Sequence, residues 1–595
     1  MSPSQIIVLA TPVFFALIAI EVAVAHRRQR SPYRLADAVS SISLGMLSQT
    51  SAVFTRLLRV GIYTALFEHV ALWRNDAFWT SLPGWLLALL FYDLCYYWLH
   101  RMGHESAVLW AAHAVHHQSQ DYNLSTALRQ TSSGALLGWV FYVPMALAGV
   151  PPLVFGVVAL IDLLYQFWVH TEQVGRLGWF DRWFCSPSNH RVHHAVNDAY
   201  LDKNYGGILI VWDRLFGTFK DEDDREKCVY GTRGLLNSWD PLWANAQVYA
   251  GLARDSWHAR NWVDKLRVWI KPPGWRPADV AERFPKPAFS MAQMQLYHPP
   301  MSRTVQWFAL LQFVLLLAGV AAFLWQAGSA PLAHNAVWFA VLLTAQWSLG
   351  AVMQGRIGMW MALMLQSAAL ATATSALGFV QWHWLFKPLT MAIALVLVAF
   401  SAYPASARGR FGLKSLALLA AALAGSLAGD VFLMFGGFFI PGLVSFLIAH
   451  LFYVALFKHG QRWFPHRGAL AATLGIGAAM YAFLWTGGLP ATLRAPVAAY
   501  VLVIALMAAQ AIGRATVLRD GSSVLVAVGA GFFMLSDSLL ATNRFVQPLP
   551  MAQVWVLATY YAAQALIAAG VLRQQQPQSE PVTPQTGPAR SPLAA

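Results

Sequence analysis

The stretch WTSLPGWLLALLFYDLCYYWL, residues 79–99, is long and apolar enough to cross a bilayer, and HRMGH, residues 100–104, follows it at once. About 20 apolar residues span the hydrocarbon core. The first two clustered histidines are therefore predicted to lie where a transmembrane helix meets the membrane surface. Equally apolar runs predict further crossings in this half of the chain, which are residues 5–25, one crossing within 43–72, 132–150 and 152–170.

The composition excludes an ordinary soluble protein. Of the 595 residues, 57% are hydrophobic and 11% are charged, whereas soluble domains carry roughly 25% charged residues. The net charge of +14 comes mainly from basic residues in short loops between apolar runs. The positive-inside rule explains that placement, so nucleic-acid binding is not expected. We predict an all-α polytopic protein of a cell membrane, which would be the inner membrane in a bacterium.

The distribution of polar segments divides the chain into four regions. A polar stretch within the first region is expected to form a cytosolic cap. The regions are a helical domain at 1–303 with its cap at 171–300, a connecting transmembrane hairpin at 304–356, a second helical bundle of about eight spans at 357–573, and a disordered tail at 574–595.

Basic loops recur after every second apolar run beyond residue 303, with Arg494 and Arg544 as exceptions. The positive-inside bias places those loops in the cytosol. The span at 79–99 ends on the same side, and the hairpin at 132–170 leaves and returns to it. The histidine clusters are therefore expected to face the cytosol.

Nine of the 18 histidines lie between residues 100 and 194. Their spacings are i,i+4 or i,i+3,i+4, which place side chains on one face of a helix, so each cluster is expected to aim at one point. Neutral histidine is the commonest metal ligand, and one zinc ion needs three or four ligands. Nine histidines thus indicate two metal ions, with iron favoured and zinc left open. The proposed ligands are His100, His104, His113, His116, His117, His170, His190, His193 and His194.

The boxes HxxxH, HxxHH and HxxHH resemble those of the fatty acid hydroxylase/sterol desaturase superfamily, and most closely the alkylglycerol monooxygenase family. Four further segments carry the likeness: FYDLCYYWLHRMGHE at 91–105, YNLSTALRQ at 122–130, HTE at 170–172 and LDKNYGGILIVWDRLFGTF at 201–219. The resemblance implies a non-haem centre of two iron ions that uses O2 to hydroxylate the ether carbon of an O-alkyl glycerolipid. The resulting hemiacetal would release a fatty aldehyde.

The same resemblance implies that Glu105 and Tyr205 are needed for activity and that tetrahydrobiopterin is the reductant, although no motif identifies the electron donor. Sterol, fatty acid or carotenoid hydroxylation or desaturation would use the same ligands. Outer partners, which are residues that hydrogen-bond to the ligating imidazoles, are expected to orient them. The candidates are Asp93, Asp162, Asn189 and Asp213.

The second half carries few ionisable residues within its apolar runs, and such residues usually mark function. Asp430 and Asp537 are predicted at one depth, where two carboxyl groups can serve as acid and base. A polar network that joins helices and a transporter site are the alternatives. Further candidates for substrate binding are His450, Tyr453, Ser536, Tyr560 and Gln564.

Four short segments of the second half resemble the lysoplasmalogenase (YhhN-type) family. They are Lys387-Pro-Leu-Thr-Met391, Ser426–Met434, His450–Tyr453 and Ser536-Asp-Ser538. The resemblance implies hydrolysis of a lysoplasmalogen vinyl ether, with Asp430 and Asp537 as the acid/base pair. Both halves then cleave an ether-linked chain to a fatty aldehyde.

Overall fold

The structure is a computed structural model that describes residues 2–56, 60–401 and 409–574. In these residues the regular structure is helical, accompanied by two isolated β-bridges, which confirms the all-α class. Most of the predicted disordered tail lies outside the described residues. The chain divides into two compact units, Met1–Ile357 and Gly358–Ala595.

Unit 1 contains long apolar helices and many short helices. Its α-helices are α1 (Pro3–Arg27), α2 (Leu35–Arg56), α3 (Ile62–Val70), α4 (Asp76–Trp79), α5 (Leu82–Glu105), α6 (Ala107–His117), α7 (Leu124–Ala127), α8 (Gly134–Leu137), α9 (Val143–Leu147), α10 (Pro152–Trp168), α11 (Pro187–His194), α12 (Val211–Leu215), α13 (Pro241–His258), α14 (Trp262–Ile270), α15 (Ala278–Arg283), α16 (Arg303–Gln326) and α17 (Leu332–Met353).

Unit 2 is a bundle of long helices. They are α18 (Met359–Ala376), α19 (Val380–Ser401), α20 (Gly409–Phe432), α21 (Phe439–Lys458), α22 (Arg467–Thr486), α23 (Ala491–Leu518), α24 (Gly521–Phe545) and α25 (Ala552–Gln574).

Among the described residues, 11 helices are long and apolar enough to span a membrane. They are α1, α5, α16, α17 and the seven helices from α19 to α25, where the qualifying part of α20 is Gly412–Phe432. This number supports an integral, multi-pass membrane protein.

The predicted crossing at 132–150 is wrong as a single span. The chain there forms α8, a 3₁₀ turn at Gly138–Tyr142 and then α9. Gly134, Gly138 and Pro144 interrupt the run, and residues of these types punctuate helices. The continuous apolar helix has 10 residues, Gly138–Leu147. At 1.5 Å per residue it is about half as long as the hydrocarbon core is thick.

The crossing predicted within 43–72 falls partly on residues 57–59, which lie outside the described residues. Two helices, α2 and the nine-residue α3, occupy the described parts of this stretch, and α2 is not among the membrane-spanning candidates. The sequence of α2 is rich in serine and threonine. Its apolar side packs on α16 and α17 through Val39, Phe313 and Leu349, so the hairpin at 304–356 packs within unit 1.

Close packing of α20 on α21 fixes the position of Asp430. A Cβ atom at Gly429 would lie 2.6 Å from Cδ2 of Phe446, so any other residue there would force the Phe446 ring or the helices to move. Small residues let helix backbones approach closely in a membrane. Gly429 therefore brings the neighbouring Asp430 into the interior of unit 2, where it is buried.

Candidate metal centre and a second polar site

Four segments of unit 1 bring the nine predicted histidines together. The last turns of α5 carry two of them, α6 carries three, the residue after the C-cap of α10 is His170, and α11 carries three. Ser106 is extended, with φ −122° and ψ 126°, which ends α5 and lets α6 start in a new direction. The Ser186 side chain accepts from the Asn189 backbone N–H and caps α11.

The histidines form two groups, in each of which the ligand atoms all lie within 4.8 Å of one another. One ring from each group, His117 and His194, stack with centroids 4.3 Å apart, so the groups are adjacent. Group A is His100, His104, His113, His117 and His193, and group B is His116, His170, His190 and His194.

The expectation that each cluster aims at one point is wrong for both HxxHH boxes. The i,i+4 pairs stay together, as His113 and His117 do in group A. The histidine between them, His116, belongs to group B. In a helix of 3.6 residues per turn, two adjacent residues such as His116 and His117 point about 100° apart. This angle is enough to direct their rings to two different ion positions.

The tautomers of group B are consistent with a cation between the rings. Nδ1 of His116 donates to the Arg129 carbonyl at 2.9 Å, and Nδ1 of His170 donates to the Gln166 carbonyl at 2.8 Å. A carbonyl can only accept, so each Nε2 carries a lone pair. These two Nε2 atoms nevertheless lie 3.1 Å apart. Burial lowers the pKa of His116 to about 4, so a shared proton is unfavourable and both lone pairs are available to a metal ion.

In group A, too, backbone carbonyls fix the tautomers of two histidines. Nδ1 of His100 donates to the Tyr205 carbonyl at 2.8 Å, and Nδ1 of His193 donates to the Lys203 carbonyl at 3.0 Å. The Nε2 atom of His104 is buried without a hydrogen-bond partner, as is that of His194 in group B. Both donor sets are therefore consistent with a metal cofactor bound by neutral imidazoles.

The two residues that the resemblance implies are needed for activity, Tyr205 and Glu105, differ in their surroundings. The Tyr205 ring is buried beside group A, with its centroid 5.3 Å from that of His104, and burial raises the pKa of Tyr205. Glu105 accepts from Nε of Arg101 at 2.8 Å, and its side chain is 41% exposed. Tyr205 therefore lies at the histidine site, whereas Glu105 lies in a partly exposed ion pair.

Three of the four predicted outer partners hold backbone segments, and the fourth, Asp162, holds the side chain of Gln166. Asp213 accepts from the N–H groups of Tyr205 and Gly206, each at 2.7 Å, and so fixes the loop whose carbonyl receives His100. Asp93 accepts from the backbone of Ile208 at 2.7 Å. Asp162 accepts from the Gln166 side chain, and Asn189 donates to the carbonyls of Asp181 and Phe184.

Sequence reasoning missed Arg191, which joins α11 to the loop after α12 through an ion pair and to the loop after α10 through hydrogen bonds. Nε and Nη2 of Arg191 donate to both oxygens of Glu222 at 2.8 and 2.7 Å. Its Nη1 donates to the carbonyls of Thr171 and Val174. Burial opposes ionisation of Glu222, but hydrogen bonds from Arg191 hold its pKa below the usual value. The signal was present, since Arg191 lies inside a histidine box and Glu222 lies in the acidic run Asp221–Asp224 of the predicted cytosolic cap.

Unit 2 contains a cavity of about 380 Å³ whose wall includes both predicted carboxylates. Asp430 accepts from the Tyr560 hydroxyl at 2.6 Å and lies 3.5 Å from Nζ of Lys387. Asp537 accepts from the Tyr500 hydroxyl at 2.6 Å. Lys387 and Tyr500 also line the cavity, and the sequence analysis assigned neither a role.

The remaining predicted residues of unit 2 take three different positions. Ser536 and Tyr560 line the cavity. Nε2 of His450 lies 3.4 Å from the Asp537 carboxylate. His450 therefore contacts a residue of the cavity wall without lining the cavity itself. The hydroxyl of Tyr453 donates to the side-chain oxygen of Gln564, and this buried pair joins α21 to α25.

Comparisons with known proteins agree with both halves. The fatty acid hydroxylase family matches residues 85–218, and the YhhN family matches residues 382–571. Alkylglycerol monooxygenase from Homo sapiens is 38% identical over 319 residues, which are 52% of this chain and 69% of that protein. The enzyme of the same name from Danio rerio is 39% identical over 318 residues, covering 52% and 68%.

The second half has its own relative. Lysoplasmalogenase TMEM86B from Homo sapiens is 36% identical over 163 residues, which are 27% of this chain and 67% of that protein. No solved structure gives a significant match. These matches confirm the resemblance of each half. The chain therefore belongs to the alkylglycerol monooxygenase family of fatty acid hydroxylases and carries, in the same polypeptide, a domain of the YhhN family.

Proposed function

We propose that the chain is a bifunctional membrane enzyme that degrades ether lipids. Unit 1 is an O2-dependent monooxygenase that hydroxylates the ether carbon of alkylglycerolipids, and unit 2 hydrolyses the vinyl ether of lysoplasmalogens. The names of the relatives support this pair of activities. The observation that carries the first activity is the convergence of imidazole lone pairs in two adjacent buried groups.

The nine histidines are proposed to hold two iron ions. When bound, iron together with O2 and a reductant, for which we propose tetrahydrobiopterin, supplies the oxidising power for insertion of oxygen at a C–H bond. The protein fixes the tautomers of His100, His116, His170 and His193 through backbone carbonyls. The product hemiacetal then collapses to a fatty aldehyde and a free glycerol hydroxyl.

Metal analysis of the purified protein and an alkylglycerol cleavage assay test this assignment together. We expect two iron ions per chain and O2-dependent release of fatty aldehyde. An iron-loaded protein that hydroxylates or desaturates a sterol, a free fatty acid or a carotenoid, and leaves alkylglycerol intact, would contradict the proposed substrate.

In unit 2, a carboxylic acid protonates the outer alkenyl carbon, water adds to the resulting oxocarbenium carbon, and the hemiacetal releases a fatty aldehyde. The Lys387 ammonium stabilises negative charge on Asp430. We therefore assign Asp430 as the base that takes a proton from the attacking water, and Asp537 as the acid. Their shared cavity supports this assignment.

We also propose that the histidine groups face the cytosol, which the distribution of basic loops supports. A single cysteine replacing the exposed Asp198, in a background lacking the natural cysteines, should react with a membrane-impermeant maleimide only from the cytosolic side. Reaction from the outside would overturn this orientation.

Glu222→Gln should weaken metal retention by about tenfold, the lower end of the range for residues that support a metal ligand. The change removes the charge that holds Arg191 against the His170 loop. The measurement is iron content after dialysis against a graded series of chelator concentrations. Asp224→Asn is the matched control, because Asp224 is an exposed member of the same acidic run. Equal retention in both variants would show that the ion pair does not support the site.

A further inference from the structure

Helix α14 (Trp262–Ile270) exposes a continuous apolar face. Trp262, Leu266 and Ile270 follow one another at intervals of four residues and therefore share this face. They are 78%, 70% and 67% exposed, respectively. On the other side of the helix Val268 is buried, and α14 packs on α6 and α13. Since a contiguous exposed apolar surface marks a site of interaction, this face is expected to have a partner.

Basic residues border the apolar face. Each residue turns an α-helix by about 100°, so Lys265 and Arg267 lie on opposite flanks of Leu266. Arg267 pairs with Asp264 at 3.1 Å, and 51% of its side chain remains exposed. Between residues 254 and 271 the chain carries five basic residues and two acidic ones. An amphipathic helix of this composition, with tryptophan on its apolar face, is typical of the surface of a membrane that contains anionic lipid.

The end of α5 sets the depth of α14. Helix α5 is long and apolar enough to span a membrane, and its apolar run ends at Leu99, about 9 Å along the axis before Glu105. The Ala107 N–H donates to the carbonyl of Lys271, the residue after α14, at 2.9 Å. Because an α-helix with its side chains has a radius of about 5–6 Å, α14 lies within reach of the lipid headgroups.

Other exposed rings of the predicted cap lie at the ends of apolar helices in unit 1. Phe216 is exposed and contacts Trp98 of α5, with ring centroids 5.0 Å apart. Trp179 is exposed, and its neighbour Phe180 contacts Trp168, the last residue of α10, with centroids 6.1 Å apart. Tryptophan is enriched at membrane–water interfaces. These rings indicate that the cap meets the membrane surface at the helix ends that lead to the histidine groups.

We propose that α14 lies in the headgroup layer of the leaflet nearest the histidine groups, where its apolar face contacts lipid and where Arg267 and Lys271 bind the phosphates of anionic phospholipids. Lys271 is exposed at the end of the helix. The basic flanks favour lipid over a second copy of the chain or another protein, because they complement an anionic membrane surface. Since α14 packs on α6, which carries three of the histidines, this contact also holds the histidine groups at a fixed depth. The inference does not rest on either proposed reaction.

Spin labels on the full chain, reconstituted in nanodiscs of phosphatidylcholine and phosphatidylglycerol, test the depth of α14. The labels are attached to Leu266→Cys, Leu86→Cys and Asp224→Cys, each in a background lacking the natural cysteines. Leu86 is an exposed residue of α5, and Asp224 is an exposed residue of the acidic run. Collision with O2, which concentrates in lipid, should exceed collision with a water-soluble nickel complex at positions 266 and 86, and the order should reverse at position 224. A label at position 266 that meets nickel as freely as the label at position 224 would overturn the proposal. A label at position 266 that is shielded from both reagents would also overturn it, because another protein or a second copy would then cover the face.

Quenching of a fluorophore attached at position 266 tests the preference for anionic lipid. One basic residue near an anionic surface gives a preference of about fivefold, so nitroxide-bearing phosphatidylglycerol should quench at about one fifth of the mole fraction that nitroxide-bearing phosphatidylcholine requires. Combining Arg267→Gln with Lys271→Gln should remove this difference. Arg225→Gln combined with Lys227→Gln is the matched control and should retain it, because these two exposed basic residues follow the acidic run. Equal quenching by the two lipids in the unaltered chain would overturn the proposed recognition of anionic lipid, as would a preference that survives the loss of Arg267 and Lys271.

Discussion

His116→Ala is expected to abolish aldehyde release from alkylglycerol, with a loss of more than about 100-fold, the upper range for residues that merely support a metal ligand. His116 is the member of group B whose Nε2 faces that of His170 at 3.1 Å. Its removal leaves three histidines in that group, so iron content should fall from two ions towards one per chain. Aldehyde assay and metal analysis on the same preparation measure both effects.

Two controls test whether the loss in His116→Ala is specific to the metal site. His69→Ala should leave both readouts unchanged, because His69 is exposed on α3. Vinyl-ether hydrolysis by unit 2 should also persist in His116→Ala, which shows that the chain still folds and inserts. Full O2-dependent turnover in His116→Ala would exclude group B from the reaction.

Asp430→Asn is expected to reduce vinyl-ether hydrolysis by 10²–10⁴-fold, the usual contribution of a general acid or base. The asparagine can still accept the Tyr560 hydrogen bond but cannot take a proton from water. Alkylglycerol cleavage by unit 1 should remain unchanged. Rates of aldehyde release from the two substrates, measured on one preparation, give the comparison.

Asp520→Asn is the matched control for Asp430→Asn. Asp520 caps α24 by accepting from the Ser523 backbone, and asparagine caps a helix about equally well, so its activity should stay near that of the unaltered protein. A parallel decline of both activities in Asp430→Asn would instead indicate that Asp430 joins the helices of unit 2.

The sequence by itself determined the membrane class and the identity of the converging histidines. Hydropathy sets the long helices directly, because each must satisfy its own backbone in lipid. The i,i+4 spacing likewise predicted that His100 and His104, or His113 and His117, share a helix face. Both are local properties, which a linear pattern records.

Tertiary structure decided the rest. Helix geometry separates His116 and His193 from their box neighbours, but only tertiary packing decides which rings they meet, and these are His170 for His116 and His100 for His193. Lys387 and Tyr500 acquire their roles from carboxylates 43 and 37 residues away in sequence, and no local pattern encodes such a pairing. Arg544 stood out in the sequence only as an exception to a charge rule. Its position in a cavity wall depends on where α24 ends relative to α21 and α22.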